Sequence, residues 1–490
     1  MMTMQRKLNV LMVAVCPFPA NHGGAASIRE MSEVLVKFGH DVHVVTYPIQ
    51  EDIPIEGVHI HRVNVPFLKP AKVKVGPGIE KFIYDPIMIV KLLYLIRKYN
   101  IDVIHAHNYE GAMIGWFGRV LLGRPMLYNA VNSMADELPT YNFIKPKSLA
   151  IWLGKVLDSW VPRMGNFVTV VSDALKGFLV SKGVPERLIK VVPAGVNVEM
   201  FHDGCGKRVR KQFGVQQAPL VMYTGALEQF QRIDYLLKAM KVVVDKHPDA
   251  RLLIVASIAN EKNLKIYQNL ARELGIYRNV IVLSGVPLHE LPDHLAAADV
   301  AVVPRPECPG HPVKLLNYMA AAKAIVSFEG GAKGLHHMHN GYVVNDHDYE
   351  ALGEGIVFLL ENPDIAKELG DQAFNTIRGN MDWETLARGI EVIYNMMLTG
   401  DHDAYRADLD RYIKDSYVFQ FVERREVKGG PAVSRRRGPD RRLNRQHIEF
   451  LERRRVRFGN SAQAGADNGD DVRMILSDDA SSDAAAEAKG

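Results

Sequence analysis

Short, wholly apolar segments alternate with helical segments along most of this chain, in two successive sets. The first set is LNVLMVAV, DVHVVTY, DVIHAH, MLYNAV and FVTVVS, and the second is LVMYTG, RLLIVAS, NVIVLSG, DVAVVP and AIVSF. Such strands are typical of parallel sheets that helices cover on both faces. The alternation therefore predicts an α/β fold with two doubly wound, Rossmann-like domains facing each other across a cleft. Ligands of such sheets bind at the carboxyl ends of the strands.

The length of the chain, 490 residues, exceeds that of one typical domain. We predict an N-terminal domain over residues 1–200, a C-terminal domain over 201–400 and a tail over 401–490. A dense arginine cluster lies between residues 435 and 457, and an Ala/Gly/Ser/Asp-rich stretch follows it. This composition does not support a packed core, so we expect the tail to be disordered.

Composition excludes several classes of protein. The net charge of +4 is mild and gives no reason to expect a nucleic-acid partner, and three widely spaced cysteines form neither a disulfide framework nor a zinc motif. The apolar run at residues 8–16 meets prolines and reads as a buried strand rather than a signal peptide. No stretch approaches the ~20 apolar residues that span a bilayer. We predict a cytoplasmic protein.

Two stretches in the first half mix basic with aromatic and aliphatic residues, at 66–98 and 148–166. Side chains of this kind suit the surface of an anionic membrane. Core-facing helices with solvated lysines explain the same pattern, so both interpretations stay open. The first of them predicts peripheral contact with the inner face of a membrane.

The stretch PRPECPGHPVKLLNYMAAAKAIVS joins a strand end, a Pro/Gly-rich loop, a short helix and another strand. Pro312 suits the start of a helix, whose free N–H groups and partial positive charge attract a diphosphate. Lys314 adds a full charge, and Asn317 lies one turn further on, where it can hydrogen-bond a sugar or ribose hydroxyl. An ordinary strand–helix–strand unit with a solvated lysine explains the pattern as well.

Two features of the first half predict a ligand at the same edge of the other sheet. Gly23 and Gly24 follow the first strand, where glycine lets a ligand approach the backbone. His107 ends the strand DVIHAH, and a neutral imidazole can hydrogen-bond a sugar hydroxyl. A tight turn and a core histidine are the alternatives, and for His105 we favour the core role.

Six segments, some of which contain the features above, occur along the chain in the following order: HGGAASIREMSEVLVKFGHDVHVVT, DVIHAHN, VVPAGVNVEMF, YTGALEQFQRIDYLLKA, KLLNYMAAAKAIVS and HNGYVV. The segments and their order together resemble a known family. Over roughly residues 7–400, the chain resembles the retaining, nucleotide-sugar-dependent glycosyltransferases of family 4, which have the GT-B fold. The resemblance implies transfer of a hexose-type sugar from a nucleotide-sugar donor to a glycan or lipid-linked acceptor. It implies retention of anomeric configuration, a role in cell-surface or extracellular polysaccharide or glycolipid synthesis, and no metal or other cofactor.

The resemblance also implies roles for individual residues. The catalytic residues are His107 and Lys314. The expected donor-binding residues are Gly23, Gly24, Gly225, Glu228, Gln231, Arg232, Arg305, Glu307, Lys314, Leu315 and Asn317. The expected acceptor-binding residues are Asn108, Asn132, Asp136 and Glu137.

The second half departs from the family pattern at the donor site. Ala226 and Gln231 stand where many relatives carry Arg and Lys, and the pair Glu228 and Gln231 looks like a subgroup of the family. Phosphates in a cleft require compensation, so Arg232 or Lys314 is expected to replace the lost charge. Asn317 stands where Glu is usual, which turns a charge-assisted hydrogen bond into a neutral one.

These departures support a second hypothesis, in which the chain is a catalytically impaired GT-B protein that serves as a binding or scaffold partner. Its arginine-rich tail would then bind an acidic partner. A sugar-nucleotide epimerase of the same fold is a third class, and the acceptor-type loop and the HNGYVV segment make it the weakest of the three.

Overall fold

The computed structural model describes residues 6–16, 18–19, 23–48, 55–65, 81–140, 144–257, 261–308, 312–414 and 473–474. The first half of the chain forms a seven-stranded sheet of spatial order β3-β2-β1-β4-β5-β6-β7. All neighbouring strands in it are parallel. Its strands are β1 (Asn9–Ala14), β2 (Asp41–Thr46), β3 (Val58–Arg62), β4 (Val103–His107), β5 (Met126–Ala130), β6 (Phe167–Val170) and β7 (Ile189–Val191).

The second half forms another seven-stranded sheet, of order β13-β12-β11-β8-β9-β10-β14. Its pairs are parallel except for β14, which is antiparallel to β10. Its strands are β8 (Leu220–Gly225), β9 (Arg251–Ala256), β10 (Val280–Ser284), β11 (Val300–Val303), β12 (Ala324–Phe328), β13 (Tyr342–Val344) and β14 (Arg473–Met474). The two sheets confirm the predicted fold of two Rossmann-like α/β domains.

Helices cover both faces of each sheet, because strands of this composition expose apolar side chains on both sides. Around the first sheet lie α1 (Gly23–Lys37), α2 (Lys81–Lys98), α3 (Asn108–Leu122), α4 (Met134–Glu137), α5 (Lys147–Trp160) and α6 (Asp173–Ser181). Around the second sheet lie α7 (Val198–His202), α8 (Lys207–Gln212), α9 (Ile233–Lys246), α10 (Glu261–Glu273), α11 (Leu291–Ala297), α12 (Val313–Ala320), α13 (Tyr349–Glu361) and α14 (Pro363–Ile377), and α15 (Trp383–Thr399) and α16 (Arg406–Tyr412) follow in the chain.

Each sheet has one point at which the strand order reverses. In the first sheet this point lies between β1 and β4, and in the second it lies between β8 and β11. Connections leave the two central strands toward opposite faces there, which opens a crevice at their carboxyl ends. His107 and Gly225 are the last residues of β4 and β8, and the segments that hold Gly23 and Arg305 follow β1 and β11.

Helix α15 returns to the first sheet, although it follows the second half in sequence. Its buried residues share a core with strands β1 and β2 and helix α1. Trp383 Nε1 donates to Glu30 Oε2 at 2.6 Å, and His40 Nε2 lies 3.0 Å from Glu391 Oε1. The last helix of the predicted C-terminal domain, residues 201–400, therefore packs on the N-terminal domain.

The start of the predicted tail belongs to this packed region, so the prediction of disorder is wrong for residues 401–414. Leu409 and Ile413 are buried in the same core as α15, and Lys190 Nζ donates to Asp410 Oδ1 at 2.6 Å. Two apolar residues four positions apart lie on one side of a helix and pack together. Strand β14 is also in the tail, and the arginine cluster lies outside the described residues.

Candidate functional site

Lys314 lies in the first turn of α12, at the crevice of the second sheet. Its Nζ donates to the Tyr223 hydroxyl at 2.7 Å and to Gln231 Oε1 at 2.8 Å. The ammonium also lies 4.0 Å from the centroid of the Tyr223 ring. A cation over an aromatic face is attracted to the negative side of the ring, which adds to the two hydrogen bonds. Lys314 is therefore fixed at this point.

Gly225, at the end of β8, makes room for this lysine. Its φ of +135° lies in a region that favours glycine, and a Cβ there would come within 2.6 Å of Lys314 Nζ. A side chain at this position would therefore be strained and would also push the ammonium away. The glycine predicted to bind the donor thus has a second role, which is to admit Lys314.

Two cations, Lys314 and Arg305, lie at this site. Burial, and then the charge of Arg305, lowers the pKa of Lys314 well below its usual value. Arg305 Nε donates to the carbonyl of Glu307 at 2.6 Å, and its guanidinium lies 4.8 Å from the Phe230 ring centroid. Within the described parts of the chain, neither cation has an ion pair. Two such cations beside a helix N-terminus suit an anion such as a diphosphate.

Arg232 is engaged elsewhere. Its Nε and Nη2 donate to Asp234 at 3.0 and 2.9 Å, and its guanidinium lies 3.5 Å from the Tyr235 ring centroid. Arg232 also has a left-handed backbone, with a φ of +57°. Arg232 is thus paired with a carboxylate, whereas Lys314 forms no ion pair among the described residues.

The other residues predicted to bind the donor differ in their burial and in their hydrogen bonds. Glu228 accepts a hydrogen bond from Asn263 Nδ2 at 3.3 Å, and the Glu307 side chain is exposed. Asn317 is half-buried, and its amide has no hydrogen-bond partner among the described residues. The Leu315 side chain is buried in the core, and its N–H donates to the Pro312 carbonyl at 2.8 Å. The side chain of Leu315 is thus part of the core, and its role in donor binding stays a prediction.

His107 ends β4 at the crevice of the first sheet, and a chain of two hydrogen bonds sets its tautomer. The Thr169 hydroxyl donates to Asn129 Oδ1 at 3.4 Å, and Asn129 Nδ2 donates to His107 Nδ1 at 3.2 Å. The proton of the neutral ring therefore lies on Nε2. This nitrogen is buried and has no hydrogen-bond partner among the described residues. A buried donor of this kind is suited to a ligand oxygen.

Burial lowers the pKa of His107 to about 3, so the ring is neutral near pH 7. His105 stacks on it at a centroid distance of 4.3 Å, and His105 Nδ1 lies 2.8 Å from the Tyr394 hydroxyl. Burial and the neighbouring His107 lower the pKa of His105 as well. The contacts of His105 are those of a core residue that supports the ring of His107.

Two further predicted residues of the first half lie on the segments that follow β1 and β4. Gly24 is exposed in the first turn of α1, and a Cβ there would meet nothing within 4 Å. Packing therefore does not require glycine at this position. Asn108 follows His107 with a φ of +63°, a conformation that asparagine tolerates better than most residues.

The predicted acceptor residues lie on the segment between β5 and α5. Asn132 Oδ1 is buried without a hydrogen-bond partner in the described chain, and Glu137 ends α4. The side chain of Asp136 lies outside the described residues. Sequence reasoning missed Asp158, which binds this segment from α5, and Tyr223, which holds Lys314. An aspartate within an otherwise apolar helix face was the available signal for the first.

The described residues contain no group of three or more His, Cys, Asp or Glu side chains that could hold a metal ion. Metal independence stays a prediction. In the part of the chain that the structure covers, we find no helix both long and apolar enough to cross a membrane. Several large apolar side chains are nevertheless exposed on α2 and α5, among them Phe82 at 78%, Trp152 at 59% and Trp160 at 70%.

Two sequence families match the chain, one in each half. The family described as "Glycosyl transferases group 1" matches residues 218–362, and the one described as "Glycosyl transferase 4-like domain" matches residues 22–195. A D-inositol 3-phosphate glycosyltransferase of Corynebacterium jeikeium is 25% identical over 321 residues. The match covers 62% of this chain and 74% of that relative.

Solved structures share the two-domain architecture at low sequence identity. Sucrose-phosphate synthase from Thermosynechococcus elongatus superposes with a TM-score of 0.66 at 19% identity, covering 81% of this chain and 100% of that one. Anabaena Alr3699/HepE, solved in complex with UDP, superposes with a TM-score of 0.60 at 16% identity. That match covers 79% of this chain and 100% of the other.

Proposed function

The chain belongs to the family 4 glycosyltransferases of GT-B fold, and we propose that it moves a sugar from a nucleoside-diphosphate sugar to a glycan or lipid-linked acceptor with retention of configuration. The arrangement of Lys314 carries the proposal. Its ammonium is fixed by Tyr223 and Gln231, admitted by Gly225 and without a carboxylate partner in the described chain. A diphosphate would supply the missing negative charge.

In the proposed reaction, the bond between the anomeric carbon and the diphosphate breaks through an oxocarbenium-like state. Negative charge grows on the leaving phosphate, where Lys314, Arg305 and the N-terminus of α12 stabilise it. The acceptor hydroxyl attacks from the same face of the sugar, and the leaving phosphate takes its proton. These cations would provide the electrostatic stabilisation without a metal ion.

His107 is proposed to bind the transferred sugar. Its Nε2–H is buried and unpartnered among the described residues, and a sugar hydroxyl oxygen is the acceptor that this donor lacks. The imidazole stays neutral because burial holds its pKa at about 3. We therefore assign His107 to orientation of the sugar and not to proton transfer.

Nucleotide binding is the first test of the proposal. The full-length chain is titrated with UDP, GDP and ADP by calorimetry, and its thermal unfolding is followed with each nucleotide. A ligand that binds only the folded state adds about 2.7 kcal/mol of stability at a hundredfold excess over Kd. We expect one of the three to bind. No binding of any of them would contradict the proposal.

Retention requires a separate measurement. The nucleotide that binds is supplied as its α-linked sugar, and the anomer released first in transfer or in slow hydrolysis is identified by proton NMR. Retention predicts the α-anomer, and initial release of the β-anomer would contradict it.

The second candidate is a catalytically impaired binding protein, which the neutral amide of Asn317 favours. Without a carboxylate there, the hydrogen bond to a donor hydroxyl is weaker by roughly half. A chain that binds the nucleotide but neither hydrolyses nor transfers its sugar would support this candidate. Restoration of turnover by Asn317→Glu would locate the defect at that residue.

We also propose that the N-terminal domain contacts the inner face of a membrane, where a lipid-linked acceptor would lie. Trp152 and Trp160 expose 59% and 70% of their surface on α5, a helix that also carries Lys147 and Lys155. Apolar and basic side chains together suit an anionic lipid surface. Trp152→Ser with Trp160→Ser should weaken sedimentation with phosphatidylglycerol vesicles, and unchanged sedimentation would contradict the contact.

A further inference from the structure

The short helix α4 does not cap its own N-terminus. Its N-cap residue, Ser133, forms no side-chain cap, so the first N–H groups need other acceptors. Asp158 of α5 supplies them, since its Oδ1 accepts the Met134 N–H at 2.8 Å and its Oδ2 accepts the Ala135 N–H at 3.0 Å. The segment that holds the predicted acceptor residues is thus capped by a distant carboxylate.

The same carboxylate reaches the segment that holds His107. Asp158 Oδ1 also accepts from the hydroxyl of Tyr109, which lies two residues after His107 at the start of α3. Asp158 Oδ2 accepts from Ser133 Oγ at 3.1 Å, and the side chain is fully buried. Four donors surround the two oxygens, which compensates for the loss of water around the charge.

Steric contact supports the same arrangement. Gly154 lies one turn before Asp158 on α5, and a Cβ on it would lie 2.5 Å from both the Met134 carbonyl oxygen and the Ala135 Cα. The backbone of α5 therefore packs directly on the backbone of α4. Because positions i and i+4 lie on one face of a helix, Gly154 and Asp158 act on α4 together.

We propose that Asp158 is a positioning residue that holds the acceptor-side segment, residues 132–137, in a fixed relation to His107. The inference rests on the proposed transferase function, because it assigns to these two segments one shared task. Asp158 itself is buried and touches no substrate. It acts through Tyr109 on the histidine side and through α4 on the acceptor side.

Two variants separate the two segments that the Asp158 carboxylate contacts. Asp158→Asn presents an NH₂ group to donors that need an oxygen, so it disturbs both segments. Tyr109→Phe removes the bond between Tyr109 and Asp158 and leaves the two N–H bonds from α4 to Asp158 in place. The matched control is Asp102→Asn, since Asp102 accepts the Asn9 N–H at 2.9 Å and Arg6 Nη2 at 3.0 Å at the amino edge of the sheet.

Two readouts that need no substrate are made on the full-length chain. Hydrogen exchange of residues 132–137 reports the cap, and the imidazole NMR signal of His107, assigned with His107→Gln, reports the histidine side. We expect Asp158→Asn to speed the exchange at least tenfold and to shift the signal. Tyr109→Phe should shift the signal alone, and the control should change neither.

Unchanged exchange and an unchanged His107 signal in Asp158→Asn would overturn the inference. Faster exchange with an unmoved His107 signal in both variants would also overturn it, because Asp158 would then be only a helix cap. If Asp158→Asn does not fold, Tyr109→Phe still decides the link to His107. Binding of UDP, GDP and ADP to the unmodified chain is measured in parallel, and failure there contradicts the proposed function independently of these signals.

Discussion

Replacement of Lys314 by Met tests the donor site most directly. Methionine is similar in length to lysine and removes the charge. Both groups that bind the lysine ammonium can still form a hydrogen bond in this variant. The Tyr223 hydroxyl keeps its bond to the Ala226 carbonyl, which it donates to at 3.1 Å. Gln231 is half-buried, so water can replace the lysine at its amide. A change in nucleotide binding would therefore report the missing charge.

The size of the effect follows from the contact that is lost. A hydrogen bond to a charged group contributes about 1.5–3 kcal/mol, which corresponds to a roughly 10- to 150-fold increase in Kd. The free energy of unfolding should not fall, because burial already disfavours the ammonium at this site. Calorimetric titration with the nucleotide that binds the unmodified chain measures the first quantity, and urea unfolding measures the second.

Lys323→Met is the matched control. Lys323 follows α12 in the chain, and its Nζ donates to the carbonyls of Ala298 and Ala296 at 3.1 and 3.4 Å. It precedes β12 and so lies at the opposite edge of the sheet from the crevice. We expect its nucleotide affinity to stay within twofold of the unmodified chain. An affinity change below threefold in Lys314→Met, or an equal loss in both variants, would refute the reasoning.

Three further predictions concern single residues. Gly225→Ala should raise the nucleotide Kd at least tenfold in calorimetry, because its Cβ would lie 2.6 Å from Lys314 Nζ. A protein that keeps its affinity would contradict the role of this glycine. The pKa of His107 is about 3 in the folded chain and about 6.5 in the unfolded chain. Between pH 6.5 and pH 3, His107 is therefore protonated in the unfolded state only, and the free energy of unfolding falls as the pH falls. From pH 7 to pH 5 the free energy of urea unfolding should therefore fall by about 2 kcal/mol less in His107→Gln than in the unmodified chain. Ala322→Gly should raise the free energy of unfolding by about 0.5–1 kcal/mol, because Ala322 has a φ of +50° and relief of this strain exceeds the entropy that glycine adds to the unfolded chain. A drop in its melting temperature would show that the strain is absent.

Local patterns in the sequence were enough to predict the strands that meet at the candidate site. The predicted strands LVMYTG and AIVSF coincide with β8 and β12 at every residue. Each is a short apolar run between polar or turn-forming residues, and burial on both faces leaves such a run few other structures. The crevices followed from the same pattern, because parallel strands bring the segments after them to one edge of the sheet.

The choice between Arg232 and Lys314 did not follow from the sequence. Both are cations near the donor loop, and their spacing allows either to reach a phosphate. In the structure, Arg232 has a left-handed backbone and its guanidinium contacts Asp234 and Tyr235, whereas Lys314 has no ion pair among the described residues. A backbone conformation of this kind in a non-glycine residue depends on its surroundings, which local propensity does not encode.

By itself, the sequence determined the two sets of parallel strands, the glycine and histidine positions at their carboxyl ends and the family. These depend on interactions within a few residues or on a repeated pattern. Only the tertiary structure decided that α15 packs on the first sheet and that Asp158 joins two segments of the candidate site. The apolar face of α15 predicts that the helix is buried, but it does not predict which sheet covers it. In the same way, the position of a single aspartate in the sequence does not predict its hydrogen-bond partners. Contacts between distant parts of the chain are set by the packing of the whole core, so they appear only once the fold is assembled.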